Sequence, residues 1–512
     1  MDKPQATLTR NLALLARRQP ALAEALAACG PHPRLTAVSA RDGSASLEAD
    51  GPHIHSAYAP QRRASSDIDA TAALVVCIGS GALHWALAAL TTDPDRSVLV
   101  IEPSLPALHS ALSVRSFESQ HWERLVLITE AAQIAPQIAR CYQPALAAGS
   151  QVLELNAWIG QSDRSAEFAA MRTDLVQALA GAEADAAAFA RFGRAWLVNS
   201  VVHSLRLAQN ANVWRGLHTR LAQTAAVVAG AGPSLESAKI AGALLSTDTA
   251  LPFVQHTAGT PQACVSLDPQ PWTALHLRDA AAPLIAELGS PAARHTTPSA
   301  LFTTGHPLHS LLLAAGAPLP ALPIAATSVT VAAIEIARML GCTQVSTVGV
   351  DGYYPRGATY ARGTYHHHLA ARQATRVSPG EHRFAAAVYA HAQPIPGGYA
   401  LPGAAAARQA VEAALKTRRP VAGSEQFDND AARFDPCAFW TAHLDQLDAA
   451  AQRLASIRQR SIPQVLAAAG THAIAQIPFH AAALRSGRST DFVTSIQICR
   501  AFVTDVLGRY CS

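Results

Sequence analysis

Apolar positions recur along this chain with two different periods, and their alternation predicts layered αβ units. Leu12, Leu14, Leu15, Leu22 and Leu26 return at helical intervals with Arg10, Arg17 and Arg18 between them, which predicts helices in the first thirty residues. Residues 35–58 read as short strands about a turn at Asp42-Gly43. From Ser65 the pattern changes. An apolar strand, Ala72–Ile78, meets Gly79-Ser80-Gly81, a helical pattern runs through Leu90, and the strand Ser97–Ile101 is closed by Glu102. This is a β–α–β unit with an acidic residue ending its second strand. A strand at 125–128, a helix near 131–142 and a strand at 151–156 extend it, and residues 163–222 read as helical.

A second series opens at Ala225. Its strand runs into Gly230-Ala231-Gly232-Pro233, and Ser234-Leu235-Glu236 starts a pattern that predicts a helix through Ala238, Ile240 and Leu244. A strand at Ala263–Leu267, a helix at 328–340 and a strand at Gln344–Val350 follow, so strands separated by helices predict a second parallel, doubly wound sheet. Stretches rich in Pro and Gly at 394–403 and 419–423 flank a helix, residues 436–509 read as all-helical, and no repeat of solenoid period is present. The expected architecture is α/β. A terminal helix with small strands (1–64) precedes a Rossmann-like αβ domain (65–200), a central doubly wound domain (201–425) and a helical C-terminal domain (426–512).

At 512 residues the chain is too long for one core, in keeping with several domains. Hydrophobic residues make up 50% and charged ones 15%, the net charge is only +4, and no Lys/Arg run interleaves with aromatics, so nucleic acid is not an expected partner. Met1-Asp2-Lys3-Pro4-Gln5 lacks the layout of a signal peptide, and apolar runs such as Ala72–Ile78 and Ala225–Ala231 are too short for a bilayer, so no membrane partner is expected either. The eight cysteines lie far apart with no Cys-x-x-Cys pair, which predicts a reduced, cytoplasmic protein.

Ligands of an open parallel sheet bind beyond the carboxyl ends of its strands. Four groups of the second series belong there. The first is the turn Gly230, Gly232, Pro233, Ser234, whose backbone amides suit a phosphate; the plain reading is a tight turn that binds nothing. The others are Thr247-Asp248-Thr249, Ser266-Leu267-Asp268-Pro269 and Gly349-Val350-Asp351-Gly352. Asp248, Asp268 and Asp351 together would hold Mg²⁺, fix a ribose or supply a base, whereas each alone would cap a turn. Downstream, Tyr360-Ala361-Arg362-Gly363-Thr364-Tyr365 leads into His366-His367-His368. Three adjacent histidines cannot converge on one ion, but Arg362, Tyr365 and His366 beside a phosphate would neutralise a leaving group or move a proton. Thr327 and Ser328 open a helix and would cap it, touch a nucleotide, or both. Gly79-Ser80-Gly81 with Glu102 follows the same logic, but Val75-Val76-Cys77 supplies no acidic strand end, which favours a structural Rossmann-like unit. No nucleophile elbow, Walker loop, His-Glu-x-x-His or cysteine-rich zinc spacing occurs.

These segments, in this order, resemble the motility accessory factor (Maf) family of flagellin glycosyltransferases. That family shares its central domain with MptE-like hydroxymethylpterin diphosphokinases. Arg10-Asn11-Leu12-Ala13-Leu14-Leu15 is similar to the family's N-terminal helix, and Ile54-His55-Ser56-Ala57-Tyr58-Ala59-Pro60 to its His-Ser-x-Tyr-Asp-Pro segment. Ala229 to Leu235 resembles its Ala-Gly-x-Gly-Pro-Ser-Leu motif, also carried by bacterial sialyltransferases, which place Asn where this chain has Ala231. Val265 to Pro269 resembles its Val-Ser-x-Asp-Pro, and Leu340-Gly341-Cys342, Val348 to Asp351 and Ala361 to Thr364 resemble its later motifs.

The resemblance implies a sialyltransferase-like central domain that moves a nonulosonic acid from its CMP-sugar to Ser or Thr of flagellin. It implies that Gly230, Gly232, Pro233 and Ser234 cradle the nucleotide phosphate, that Asp248 and Asp268 line the nucleotide pocket, and that Asp351 and Arg362–His366 face the reacting sugar. Asp351 and His366 are the two base candidates. One alternative is pyrophosphoryl transfer from ATP to a hydroxymethylpterin, with Mg²⁺ on Asp248, Asp268 or Asp351. Another is a non-catalytic flagellin-binding scaffold.

Overall fold

The computed structural model describes residues 3–294, 299–322, 328–355, 358–380, 390–401, 403–417, 434–457 and 460–511. The chain forms two units. One comprises Met1–Arg191 with Asp448–Gln497, the other Phe192–Leu447 with Ile498–Ser512. Residues 426–512, expected as a helical domain of their own, are thus shared between the two.

In the first unit the hairpin β1 (Leu35–Ser39) and β2 (Ala45–Ala49) precedes four strands, β3 (Leu74–Ile78), β4 (Ser97–Ile101), β5 (Leu125–Ile128) and β6 (Ser150–Glu154). All four pair in parallel in the order β5-β4-β3-β6. Every residue of β3 and β4 is buried, as expected of strands covered on both faces. Leu74, Val76 and Ile78 pack toward Trp158 and Phe168, while Val75 and Cys77 pack toward Leu8, Leu15 and Leu108. Burial pushes the Cys77 thiol up to about 12, so it behaves as a small hydrophobe.

The glycine turn of this unit is filled by the unit's own side chains. Buried Glu102 accepts from the Ser80 amide (2.9 Å), the Ser80 hydroxyl (2.8 Å), the Ser104 amide (3.2 Å) and the Trp158 indole (2.9 Å). His55 Nε2 accepts from the Ala82 amide at 2.9 Å, and a Cβ on Gly81 would collide with His55 and Leu155. The amides that would face a phosphate therefore already hold a carboxylate and an imidazole.

Three histidines of this unit are held neutral. Burial, followed by the Arg115 guanidinium, lowers His55 to about 4 and His84 to about 2. Burial also lowers His480, 2% exposed and bonded to Ser495, to about 4. An unfolded histidine protonates near its ordinary value, so between the two values the unfolded chain binds more protons and stability falls with pH. His480 alone is expected to remove about 3 kcal/mol as pH drops from 6.5 to about 4. Urea unfolding at several pH values checks this; a native-like slope in His480→Gln would refute its share.

The second unit holds a six-stranded parallel sheet in the order β11-β10-β9-β8-β7-β12. Its strands are β7 (Ala225–Ala229), β8 (Ala243–Thr247), β9 (Ala263–Ser266), β10 (Leu284–Glu287), β11 (Ser299–Phe302) and β12 (Gln344–Val348). Ala226, Val228, Leu245, Val265 and Ile285 bury one face under the helices Asn210–Leu221 and Val329–Met339. On the other face Leu284 and Ala286 pack with Leu251 and Leu312. Helices cover both faces, which makes the sheet doubly wound. Strand order reverses at β7, which lies between β8 and β12. A small sheet of β13 (Tyr354–Pro355), β14 (Gln393–Ile395) and β15 (Gly398–Ala400) accompanies it.

Two expectations are overturned. The helix predicted after Gly232 is only a 3₁₀ turn, Pro233–Ser237. Gly242, at φ +111°, then turns the chain into β8, paired beside β7 from Ala226 to Ala229. Apolar Ala243 to Thr247 gains more between two strands than in an isolated helix, so tertiary pairing overrides the helical spacing. The cysteines are not all reduced: Cys437 and Cys511 form a disulfide, and the other six are free thiols. No described helix is long and apolar enough to cross a membrane.

Candidate functional site at the carboxyl edge of the second sheet

The glycine turn after β7 lies against the turn after β12, backbone to backbone. Gly230 donates its amide to Val348 at 2.8 Å, and Gly232 to Gly349 at 2.8 Å. A Cβ on Gly230 would stand 2.6 Å from the Gly349 carbonyl, and one on Gly232 would stand 2.9 Å from the same oxygen and run into the Asp351 carboxylate. Contact between the two turns thus accounts for both glycines before any ligand is considered. Asp351 Oδ2 accepts from the Ser234 amide at 3.2 Å, so an internal carboxylate stands at the turn where a phosphate was expected.

The segment from Ala361 to His366 crosses the ends of β7 and β8. Ala361 donates to the Ala231 carbonyl at 2.9 Å, and Tyr365 donates to the Thr249 carbonyl at 3.3 Å. Arg362, 79% exposed, turns to Glu236, with Nε at 3.0 Å and Nη2 at 2.8 Å from Oε2 and its amide at 2.8 Å from Oε1. That hydrogen-bonded pairing holds the Glu236 carboxyl below its usual range. Arg362 is therefore engaged at the surface by Glu236.

Tyr365 and His366 instead face inward, toward Asp248. Asp248 is 4% exposed. Its Oδ1 accepts from the Thr249 amide (2.7 Å) and hydroxyl (3.2 Å), and its Oδ2 from the Ser266 hydroxyl (2.8 Å). His276 lies beside it, with Nδ1 at 3.9 Å from Oδ1. The His276 ring is 4.2 Å from that of Tyr365 and 5.4 Å from that of His366, and Tyr360 lies 4.7 Å from His366 on the other side. Burial lowers His366, helped by His276 and opposed by Asp248 and Asp268, so its imidazole is neutral at neutral pH and able to accept a proton. Asp268 spends its oxygens on the Gln270 amide and side chain, at 2.9 and 2.7 Å.

Ser328 caps the helix Val329–Met339 through the Val331 amide at 3.3 Å, and Thr327 lies outside the described residues. Asp248, Asp268 and Asp351 do not gather as a magnesium site: among the described residues no group of three or more His, Cys, Asp or Glu side chains stands together to hold a metal ion. A cavity of about 420 Å³ lies beside the 3₁₀ turn, lined by Leu235, Glu236, Gly242, Phe253 and Gln262. A larger one, about 740 Å³, opens at the opposite edge by Ala225 and Gln344, away from these groups.

His276 escapes the sequence reading. It closes a four-residue helix, Thr273–His276, with no periodic pattern, between exposed Leu275 and buried Leu277. An isolated Leu-His-Leu shortly after Asp268-Pro269 is the one cue the sequence offers.

No family model matches the chain. It is 36% identical over 86 residues to an uncharacterized protein of Treponema pallidum (strain Nichols), a match covering 17% of this chain and only 31% of that protein. Its fold is that of the MAf glycosyltransferase from Magnetospirillum magneticum AMB-1, with a TM-score of 0.58 over 99% of this chain and 96% of that one. At 14% identity the likeness is one of fold.

Proposed function

We propose that the protein is a glycosyltransferase that moves a nonulosonic acid from a CMP-sugar to Ser or Thr hydroxyls of flagellin. The observation that carries this reading is the end-to-end fold likeness to the MAf glycosyltransferase. It is supported by a neutral His366 that stands with Asp248 and His276 beyond the carboxyl ends of β8 and β9. In this reading the bond from the anomeric carbon to the phosphate breaks and CMP departs. The acceptor oxygen bonds to that carbon, and its proton passes to His366. Of the two base candidates His366 is favoured, because one Asp351 oxygen is already bonded to the Ser234 amide.

Calorimetric titration with CMP tests the reading. Native protein is expected to bind, and Gly232→Val, whose side chain would strike Asp351 and Gly349, is expected to lose at least about tenfold in affinity through distortion of the turn. Unchanged affinity in a folded Gly232→Val would detach the nucleotide from this turn. Binding of ATP with Mg²⁺ but not CMP would favour pyrophosphoryl transfer. Mass spectrometry of flagellin incubated with CMP-nonulosonic acids tests the acceptor.

A further inference from the structure

Asp248 and His276 are neighbours, and each leaves a hydrogen-bonding position unused. An ionised carboxylate offers about four lone-pair positions. In Asp248 the Thr249 amide, the Thr249 hydroxyl and the Ser266 hydroxyl take three of them. His276 is 7% exposed, and among the described residues neither of its ring nitrogens has a hydrogen-bond partner. The 3.9 Å between His276 Nδ1 and Asp248 Oδ1 is too long for the two to satisfy each other. Buried polar groups are almost always paired, so an orphan imidazole at the ligand-binding edge of a parallel sheet lacks a partner that something else supplies.

The chemistry of that partner follows from the pair. A carboxylate with a spare acceptor position beside an imidazole N–H presents an acceptor next to a donor. Cytosine carries the complement, an exocyclic amino group next to the unprotonated ring nitrogen N3. Uracil carries the reverse, a carbonyl next to an N–H, and would set like against like at both positions.

We propose that Asp248 and His276 read the base of the donor nucleotide, Asp248 accepting from the amino group of cytosine and His276 donating to N3. This rests on the CMP-sugar reading above. Tyr365, half-buried with its ring on His276 and its amide held by Thr249, covers the imidazole.

Equilibrium binding of CMP and UMP to native protein, His276→Leu, His276→Asn and Asp248→Asn tests the assignment. Native protein is expected to prefer CMP by about tenfold or more. His276→Leu is expected to bring the ratio near one, and His276→Asn, whose amide N–H replaces Nδ1–H, to keep part of the preference. Asp248→Asn, able to present either amide group, is expected to lose it. His276→Leu should also melt at or above the native temperature, because leucine keeps the packing against Tyr365 and removes two unpaired buried nitrogens; a histidine with structural hydrogen bonds would lower it. A CMP-to-UMP ratio unchanged in both His276 variants overturns this assignment and leaves the CMP reading standing. Native protein that binds neither nucleotide overturns the CMP reading itself.

Discussion

His309→Ala is expected to destabilise the protein by about 3–5 kcal/mol, the usual cost of leaving one member of a buried pair without the other. His309 is fully buried and bracketed on both ring nitrogens. Nε2 lies 2.7 Å from Ser200 Oγ, and Nδ1 lies 2.9 Å from Thr303 Oγ1 and 3.0 Å from Glu287 Oε1. The Glu287 approach has the distance of an ion pair rather than the alignment of a hydrogen bond. Glu287, 4% exposed, ends β10 and also accepts from the Gly289 amide at 2.5 Å. Ser200, His309 and Glu287 thus stand in the order of a hydrolytic triad. Ser200 and His309 are 0% exposed, so no substrate reaches the hydroxyl and the constellation is a buried polar brace. Denaturant unfolding of His309→Ala and of the paired replacement Glu287→Met/His309→Leu checks this. The single change is expected to cost more than the double. A loss below about 0.5 kcal/mol for His309→Ala would show that the brace carries no weight.

Reduction of the Cys437–Cys511 disulfide is expected to lower stability by about 4 kcal/mol, the chain-entropy value for a closed loop of 74 residues. Cys511 is exposed and Cys437 half-buried, so a reductant reaches the bond, while five of the six free thiols are buried. Urea curves with and without dithiothreitol measure the loss, and a Cys437→Ser/Cys511→Ser chain is expected to ignore the reductant. Superimposable curves for native protein would show that the link constrains nothing in the unfolded chain.

The strands that carry the site were legible where they were apolar throughout. Ala225–Ala229 lies where the sequence put it, because a strand buried on both faces needs an uninterrupted apolar run, whereas Gln344–Val348 is a polar, partly exposed edge strand marked by the Gly349 that ends it. β8 was misread because Leu244 continues the helical spacing that begins at Leu235; only pairing with β7 decides the matter. Arg362 was expected beside the reacting sugar, yet Glu236, 126 residues away, captures it. The meeting of Asp248, His276 and His366 and the link from Cys437 to Cys511 are long-range contacts without a local pattern. No periodicity announces a contact of that kind.

The way the chain is shared between the two units sets an order on its biogenesis. The passages between units, at 191–192, 447–448 and 497–498, all fall inside continuous helices, Ser165–Ser204, Pro436–Ser456 and Phe492–Tyr510. The first sheet leaves the ribosome early, but its unit is incomplete until residues 448–497 have been made, after nearly all of the other unit. The apolar clusters about the first sheet draw on residues 8–182, so that core can close well before residues 448–497 are made, and the later helices dock onto a core already formed.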